Sequence, residues 1–193
     1  MEYPSFDKPK AGAFRFNTDS SQLEIYDGNQ WTGVLATSPE QQTGGTRGMT
    51  AAGSEPGAAD HIDYWNIATT GNAADFGDIT DTGTRSSGGA CSNATRALYG
   101  GGANPSVLNT IDYLTIATLG NTVDFGDLTS ARYHMGVFSS STRGVWLGGR
   151  DPDLSNTIDY VQIPSTGNAV DWGDMYDQIA LFATTSNGHG GLG

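Results

Sequence analysis

Nearly the same sequence occurs three times between residues 46 and 193, and this repetition limits the fold more than any single residue does. Three landmarks recur in register, 49 residues apart between the first two copies and 47 between the last two. They are the triplets Ile62-Asp63-Tyr64, Ile111-Asp112-Tyr113 and Ile158-Asp159-Tyr160; the tetrapeptides beginning at Asp75, Asp124 and Asp171; and the pairs beginning at Thr46, Thr95 and Thr142. A period near 50 residues, with a glycine-ended strand in each unit, is typical of propeller blades or a related β array. We therefore expect an all-β fold of three repeats, spanning about 46–94, 95–141 and 142–193.

Each repeat is expected to form a sheet that is covered on both sides. The strand through the second triplet carries Ile111 and Tyr113 on one face and Leu114 and Ile116 on the other. Apolar groups on both faces suit a blade that lies between two neighbours. A Gly-Asn turn then leads into the Asp-(Phe/Trp)-Gly-Asp strand.

A small β module is predicted to precede the repeats. Apolar and polar residues alternate through 14–16 and 23–26, Asp27-Gly28 is a hairpin signal, and 31–34 can form a third short strand. Three strands this short bury little apolar surface by themselves, so we assign residues 1–35 to a docking or oligomerisation module. Residues 36–45 are a polar linker to the repeats at 46–193.

The number of repeats leaves closure of the fold open. Three blades are fewer than the roughly four that the smallest propellers use. Residues 186–193 align with 142–149 when Phe182 is matched to Phe138, which predicts the start of a fourth unit. Either subunits combine, as a trimer or dimer, or the three units close as a three-fold β-trefoil-like body.

Charge and composition exclude several classes of partner. The formal net charge is −12 and no lysine follows Lys10, so the phosphates of nucleic acid would be repelled. Cys91 is the single cysteine, so an intramolecular disulfide is impossible. The beginning of the sequence lacks the features of a secretory signal, and no apolar run is long enough to cross a bilayer. We expect no nucleic-acid partner, no membrane insertion and synthesis in a reducing cytoplasm.

No catalytic, cofactor-binding or metal-binding residue is predicted. His61, His134 and His189 do not pair with other ligands at zinc-site spacing. The repeated Asp-x-Gly-Asp element could offer carboxylates to calcium, but an aspartate beside glycine more often caps its own turn. Carboxylates that recur at one position in three repeats are better explained by folding than by a single active site. We therefore expect that the protein is not an enzyme.

Arginines and aromatic residues at repeated positions are given architectural roles. Arg47, Arg96 and Arg143 are equivalent, and we predict that Arg96 and Arg143 are partly buried and bonded to carboxylate or carbonyl oxygens. Arg85 matches Arg132 once a two-residue deletion is allowed. The repeated aromatic residues are predicted to form the core between blades: Tyr64, Tyr113, Tyr160, Phe76, Phe125 and Trp172. Any ligand should instead contact the variable loops at 54–60, 103–108 and 150–155.

The repeats resemble the kelch-like repeats of tailed-bacteriophage virion proteins, especially those of phages that infect marine bacteria and cyanobacteria. The resemblance rests on 142–149, 156–160, 167–174 and the ending at 188–192. Residues 12–31 are similar to a short β module common in phage fibre and appendage proteins.

This resemblance implies a virion structural protein, made in the host cytoplasm and located on the virion. The expected role is a tail fibre, an appendage or a capsid-surface decoration, with host-surface adhesion as a further role. The expected partners are other virion proteins through the N-terminal module, further copies of the chain, and a host cell-surface glycan. A carbohydrate-binding module without assembly duties, or a glycan hydrolase, is the alternative.

Overall fold

The computed structural model of the protein describes residues 9–18, 22–34, 45–54, 58–79 and 84–186. These residues are all-β, as expected: they form four antiparallel sheets and no helix. No membrane-spanning helix occurs within these ranges. The chain divides into two compact units, Met1–Gln42 and Thr43–Gly193.

The N-terminal unit contains one sheet of three strands in the order β1-β2-β3. The strands are β1 (Phe14–Asn17), β2 (Gln22–Tyr26) and β3 (Trp31–Gly33). The turn before β3 is held by Asp27, whose Oδ1 accepts hydrogen bonds of 2.7 Å from the backbone N–H groups of Gln30 and Asn29. These two bonds favour the carboxylate and hold the pKa of Asp27 below its ordinary value.

This small sheet buries little of its apolar surface. Tyr26 is buried and its ring lies 5.3 Å from that of Trp31. Phe14, Phe16 and Leu23 are exposed by 64%, 62% and 44%, and the register places Phe16 opposite Leu23. An apolar face is therefore open to solvent, as the shortness of the strands leads one to expect.

The described residues of the second unit form three sheets, one centred on each sequence repeat, and the first strand of the second and third sheets comes from the end of the preceding repeat. The first has the order β4-β5-β6: β4 (Arg47–Ser54), β5 (Ala58–Asn66) and β6 (Ala74–Asp78). The second has the order β7-β8-β9-β10: β7 (Gly89–Ser92), β8 (Arg96–Gly100), β9 (Thr110–Thr115) and β10 (Val123–Asp127). The third has the order β11-β12-β13-β14: β11 (Gly136–Ser139), β12 (Arg143–Leu147), β13 (Thr157–Gln162) and β14 (Val170–Asp174).

The three sheets share their strand register as well as their sequence. The isoleucine of each triplet pairs with the glycine of the tetrapeptide in the same repeat, and an irregularity follows this pair. The pairs are Ile62 with Gly77, Ile111 with Gly126, and Ile158 with Gly173. A one-residue slip would turn every side chain to the opposite face, so equal registers place equivalent residues in equivalent positions.

The core lies between consecutive sheets. One cluster joins the second and third sheets around Leu98, Phe125 and Trp146, and another joins the first and second around Ile62 and Phe76. Trp146 is completely buried, and its Nε1 donates a hydrogen bond of 3.1 Å to the carbonyl of Gly89 in the preceding sheet. The prediction of an aromatic core between repeats is confirmed for Phe76 and Phe125, which are buried.

The described part of the chain forms neither a closed barrel, which a β-trefoil-like body would need, nor a complete propeller. Residues 182–186 lie beside β11, where Ser186 Oγ donates to the carbonyl of Ser139 at 2.7 Å. Ser139 Oγ donates in the same way to the carbonyl of Ser92, 47 residues earlier, so Ser186 is equivalent to Ser139. The predicted alignment of Ser186 with Thr142 is therefore wrong by three residues. It matched Phe182 to Phe138, whereas the ring of Phe182 packs at Gly136. Residues 187–193 lie outside the described ranges.

Candidate functional site

Many of the repeated polar residues lie where one repeat contacts the next. These two contacts, here called junctions, contain hydrogen bonds and buried ion pairs between repeats. At the first junction, the Gly-Asn turn of the second repeat lies along the outer edge of β6. The backbone N–H groups of Gly120 and Thr122 donate to the carbonyls of Phe76 and Asp78, both at 2.9 Å. Asn121 Oδ1 accepts a bond of 3.0 Å from the N–H of Asp78.

The second junction repeats this geometry along the outer edge of β10. Gly167 N–H donates to the carbonyl of Phe125 at 2.8 Å, and Ala169 N–H donates to that of Asp127 at 2.7 Å. Asn168 Oδ1 accepts from the N–H of Asp127 at 3.1 Å. The Gly-Asn turns, predicted only to lead into the next strand, thus also join the repeats.

Two buried arginine–aspartate pairs cross the same junctions. Arg85 pairs with Asp112, and Arg132 pairs with Asp159; at most 2% of any of these four side chains is exposed. Arg132 Nη1 also donates to the carbonyl of Gly148 at 2.8 Å. The partner of each arginine was not foreseen, although the equivalence of Arg85 and Arg132 is visible in the sequence.

The arginines of the Thr-Arg pairs hold backbone carbonyls across the junctions. Arg47 donates to the carbonyl of Ile116, and Arg96 donates to that of Ile163 at 2.9 Å. Both guanidinium groups lie over the tyrosine ring of their own triplet, at 4.8 Å and 4.7 Å from its centre. The prediction that Arg96 is partly buried and bonded to oxygen is confirmed.

The prediction for Arg143 is wrong. This side chain is exposed and lies over the rings of Tyr160 and Trp172, at 5.0 Å and 5.4 Å from their centres. The reason is that the carbonyl that Arg47 and Arg96 reach belongs to the next repeat. No described residue takes that place beyond the third repeat.

The outer side of the third repeat, here called the tail face, exposes residues whose equivalents are buried or partly buried. It comprises Arg143, Trp172 and the outer edge of β14. Trp172 is 52% exposed, whereas its equivalents Phe76 and Phe125 are 3% and 2% exposed. The core prediction is therefore wrong for Trp172.

The opposite side of the first repeat, here called the head face, shows the complementary pattern. It comprises Trp65, Ile67 and the turn 71–73. Ile67 is 65% exposed, whereas its equivalent Ile163 is completely buried. Trp65 is 37% exposed, against 6% and 3% for its equivalents Leu114 and Val161.

A groove of about 510 Å³ lies on the tail face. It is lined by Phe138, Arg143, Gln162, Trp172 and Ser186, among others. An exposed indole beside hydrogen-bonding side chains can stack on and bond to a polar ring, such as that of a sugar.

The aspartates and histidines that were considered as metal ligands from the sequence have other surroundings in the structure. The first aspartate of each Asp-x-Gly-Asp element accepts a hydrogen bond of about 3 Å from the N–H of the following glycine, which confirms the turn-capping prediction. Within the described ranges, no group of three or more metal-ligating side chains occurs. His61 is exposed, the ring of His134 packs at a tilt against that of Tyr133, and His189 lies outside these ranges.

No family profile matches the chain, and no curated protein sequence is similar to it.

Proposed function

We propose that the chain is a structural component of a tailed-bacteriophage virion, carried as a tail fibre, an appendage or a capsid-surface decoration. In this proposal the three sheets are kelch-like blades displayed outward from the particle. The N-terminal unit docks onto other virion proteins.

The main support for a structural role is the way in which the repeated polar side chains are hydrogen-bonded and paired. Within the turns and at the two internal junctions, the repeated aspartates, asparagines and arginines bond either to their own turn or to the neighbouring repeat. Side chains held in this way stabilise an array and are not available to act on a substrate. This use of polar groups favours a scaffold over an enzyme, and the resemblance of the repeats favours a virion scaffold.

The N-terminal unit supports attachment to a larger partner. Its open apolar face carries Phe14, Phe16 and Leu23, exposed by 44–64%. Exposed apolar clusters on small units commonly mark protein interfaces. The net charge of −12 suits solubility of a protein present in many copies on a particle.

Labelling of purified particles tests the proposal. An antibody raised against the purified chain should bind intact virions in immunoelectron microscopy, at a constant place on the particle. Particles of a phage lacking the gene, or encoding residues 43–193 alone, should not be labelled. Detection of the chain only in the soluble fraction of infected cells would contradict the proposal.

Adhesion to a host-surface glycan is the second candidate function, and the tail-face groove favours it. Trp172 offers a stacking surface, and Arg143 and Gln162 offer hydrogen bonds beside it. A glycan array with the whole protein should then show binding that Trp172→Ala abolishes. Binding that survives this change would place the glycan elsewhere, and breakdown of the glycan would favour a hydrolase.

A further inference from the structure

We propose that the tail face of one copy docks onto the head face of a second copy, and that two copies close a ring of six sheets. The inference needs only the repeats and does not depend on the virion assignment. It rests on the two junctions within the chain, which show what covers each of these faces.

The tail face repeats the strand-edge carbonyls and the Thr-Arg arginine that receive the next repeat at the internal junctions. At the internal junctions, the outer strand offers the carbonyls of Phe76 and Asp78, or of Phe125 and Asp127. The equivalent carbonyls in β14 belong to Trp172 and Asp174. Arg143 is equivalent to Arg47 and Arg96, which each donate to a carbonyl of the next repeat.

The head face repeats every group that is inserted at those junctions. Gly71, Asn72 and Ala73 are equivalent to the Gly120 and Gly167 turns, and all three are exposed. Ile67 is equivalent to Ile116 and Ile163, whose carbonyls accept from Arg47 and Arg96. Joining the faces would also cover the exposed Ile67 and Trp172 side chains, as their equivalents Ile163 and Phe125 are covered. A second copy docked in this way would fill the tail-face groove, so docking and glycan binding at Trp172 exclude each other.

The number of copies follows from the number of sheets. Each copy contributes three repeat sheets, so two copies contribute six and three copies contribute nine. Propellers contain roughly four to eight blades, so only two copies give a number in that range. Head-to-tail contacts form a closed ring when the rotation between units allows it, and then leave neither face uncovered.

One element of the internal junctions is missing at the proposed contact. Ile179 is the structural equivalent of Arg85 and Arg132. Its backbone N–H donates to the carbonyl of Ser155, and the backbone N–H groups of the two arginines donate to the equivalent carbonyls of Ala59 and Leu108. Asp63, the equivalent of Asp112 and Asp159, is only half-buried. The contact therefore lacks the buried ion pair, so we expect a dimer that dissociates on dilution. Ile179→Arg should restore this pair and tighten the dimer.

Gly173→Ala tests the contact with a single methyl group. A Cβ at the equivalent Gly77 or Gly126 would lie 2.5–2.6 Å from the backbone of the next repeat, whereas at Gly173 it meets nothing within 4 Å in one copy. The variant should fold but weaken dimerisation by about tenfold or more, since overpacking costs about 1–3 kcal/mol. The matched control is Gly120→Ala, which has a similar positive φ and open surroundings.

The oligomeric state is measured by sedimentation velocity of the whole chain over a wide concentration range. The wild type should reach twice its mass of 20.2 kDa, and Ile179→Arg should do so at lower concentration. Gly173→Ala and Ile67→Glu should each remain monomeric where Gly120→Ala is dimeric. A mixture of the two monomeric variants should recover dimers, because one intact tail still meets one intact head.

A monomeric wild type at all concentrations would overturn the proposal. So would a dimer unaffected by Gly173→Ala and Ile67→Glu, since it would use another surface. Open polymers would overturn the two-copy ring. None of these results bears on particle labelling, so failure here is distinguishable from failure of the virion assignment.

Discussion

Arg132 and Asp159 form an ion pair between the second and third repeats, with 2% and 0% of their side chains exposed. The carboxylate also accepts from Thr129 Oγ1 at 2.6 Å, and the guanidinium also donates to two backbone carbonyls. A charge taken out of water is tolerated only when it is paired and hydrogen-bonded. The pair therefore depends on the two repeats keeping their relative positions.

Replacement of Arg132 should strongly destabilise the protein. Arg132→Met leaves the Asp159 carboxylate buried without its countercharge, which costs about 3–5 kcal/mol of unfolding free energy. Arg143→Met is the control at a protein concentration where the chain is monomeric, because Arg143 is then exposed and lies over the faces of two rings; its cost should be about 1 kcal/mol or less. Urea unfolding followed by tryptophan fluorescence measures both. Equal losses for the two variants would contradict the junction role of Arg132.

A methyl group added at Gly126 should separate the second and third repeats. Its Cβ would lie 2.6 Å from the backbone of Gly167, and the backbone φ of +142° already disfavours a side chain. Gly120→Ala has a φ of +146° and meets nothing within 4 Å, so it carries the backbone strain alone. Thermal unfolding should show Gly126→Ala to be less stable than Gly120→Ala by about 1–3 kcal/mol. Equal melting temperatures would mean that the repeats do not approach each other there.

The stability of the protein should fall at high pH. Burial raises the pKa of the Cys91 thiol to about 12, from an ordinary value of 9.0. Above about pH 9 the unfolded chain loses a proton that the folded chain keeps, so stability is complete below that pH and is lost as the pH rises toward 12. Burial raises the pKa of Tyr99 as well, which adds to the fall.

Cys91→Ala isolates the contribution of the thiol. Between pH 9 and 11 the unfolding free energy of this variant should fall less steeply than that of the wild type, by up to about 1.4 kcal/mol per pH unit. Any cavity left by the change lowers stability equally at every pH and does not alter the slope. Parallel pH profiles, or rapid reaction of Cys91 with a maleimide in the folded protein at pH 7, would contradict a buried thiol.

The sequence predicts the repeated framework well because its periodicity carries the information. Strand positions, the all-β class and the burial of both faces of β9 follow from apolar residues that recur at fixed spacing. The contacts at the junctions cannot be predicted in this way, because the periodicity does not indicate which repeat supplies the hydrogen-bond or ion-pair partner of a given side chain. Arg143 shows this: it has the sequence environment of Arg96, yet its surroundings differ because a neighbouring repeat covers only Arg96.

The candidate site was harder to predict for the same reason. Trp172 occupies a core position in the pattern, and its exposure depends on its place in the last repeat. The Arg85 and Arg132 pairs depend on a contact between different repeats, which spacing within one repeat does not show. The sequence did contain a signal for these pairs. Arg85 and Arg132 lie 47 residues apart, and the residue 47 positions after Arg132 is Ile179 instead of a third arginine.

The central claim is that the repeated charged side chains join consecutive repeats, and a double-mutant cycle on Arg132 and Asp159 tests it most directly. Unfolding free energies would be measured for the wild type, Arg132→Met, Asp159→Leu and the double variant. The account predicts a coupling energy of about 2–3 kcal/mol, because removing the second charge relieves the burial of the first. A coupling energy near zero would show that the two residues act independently and would contradict the account.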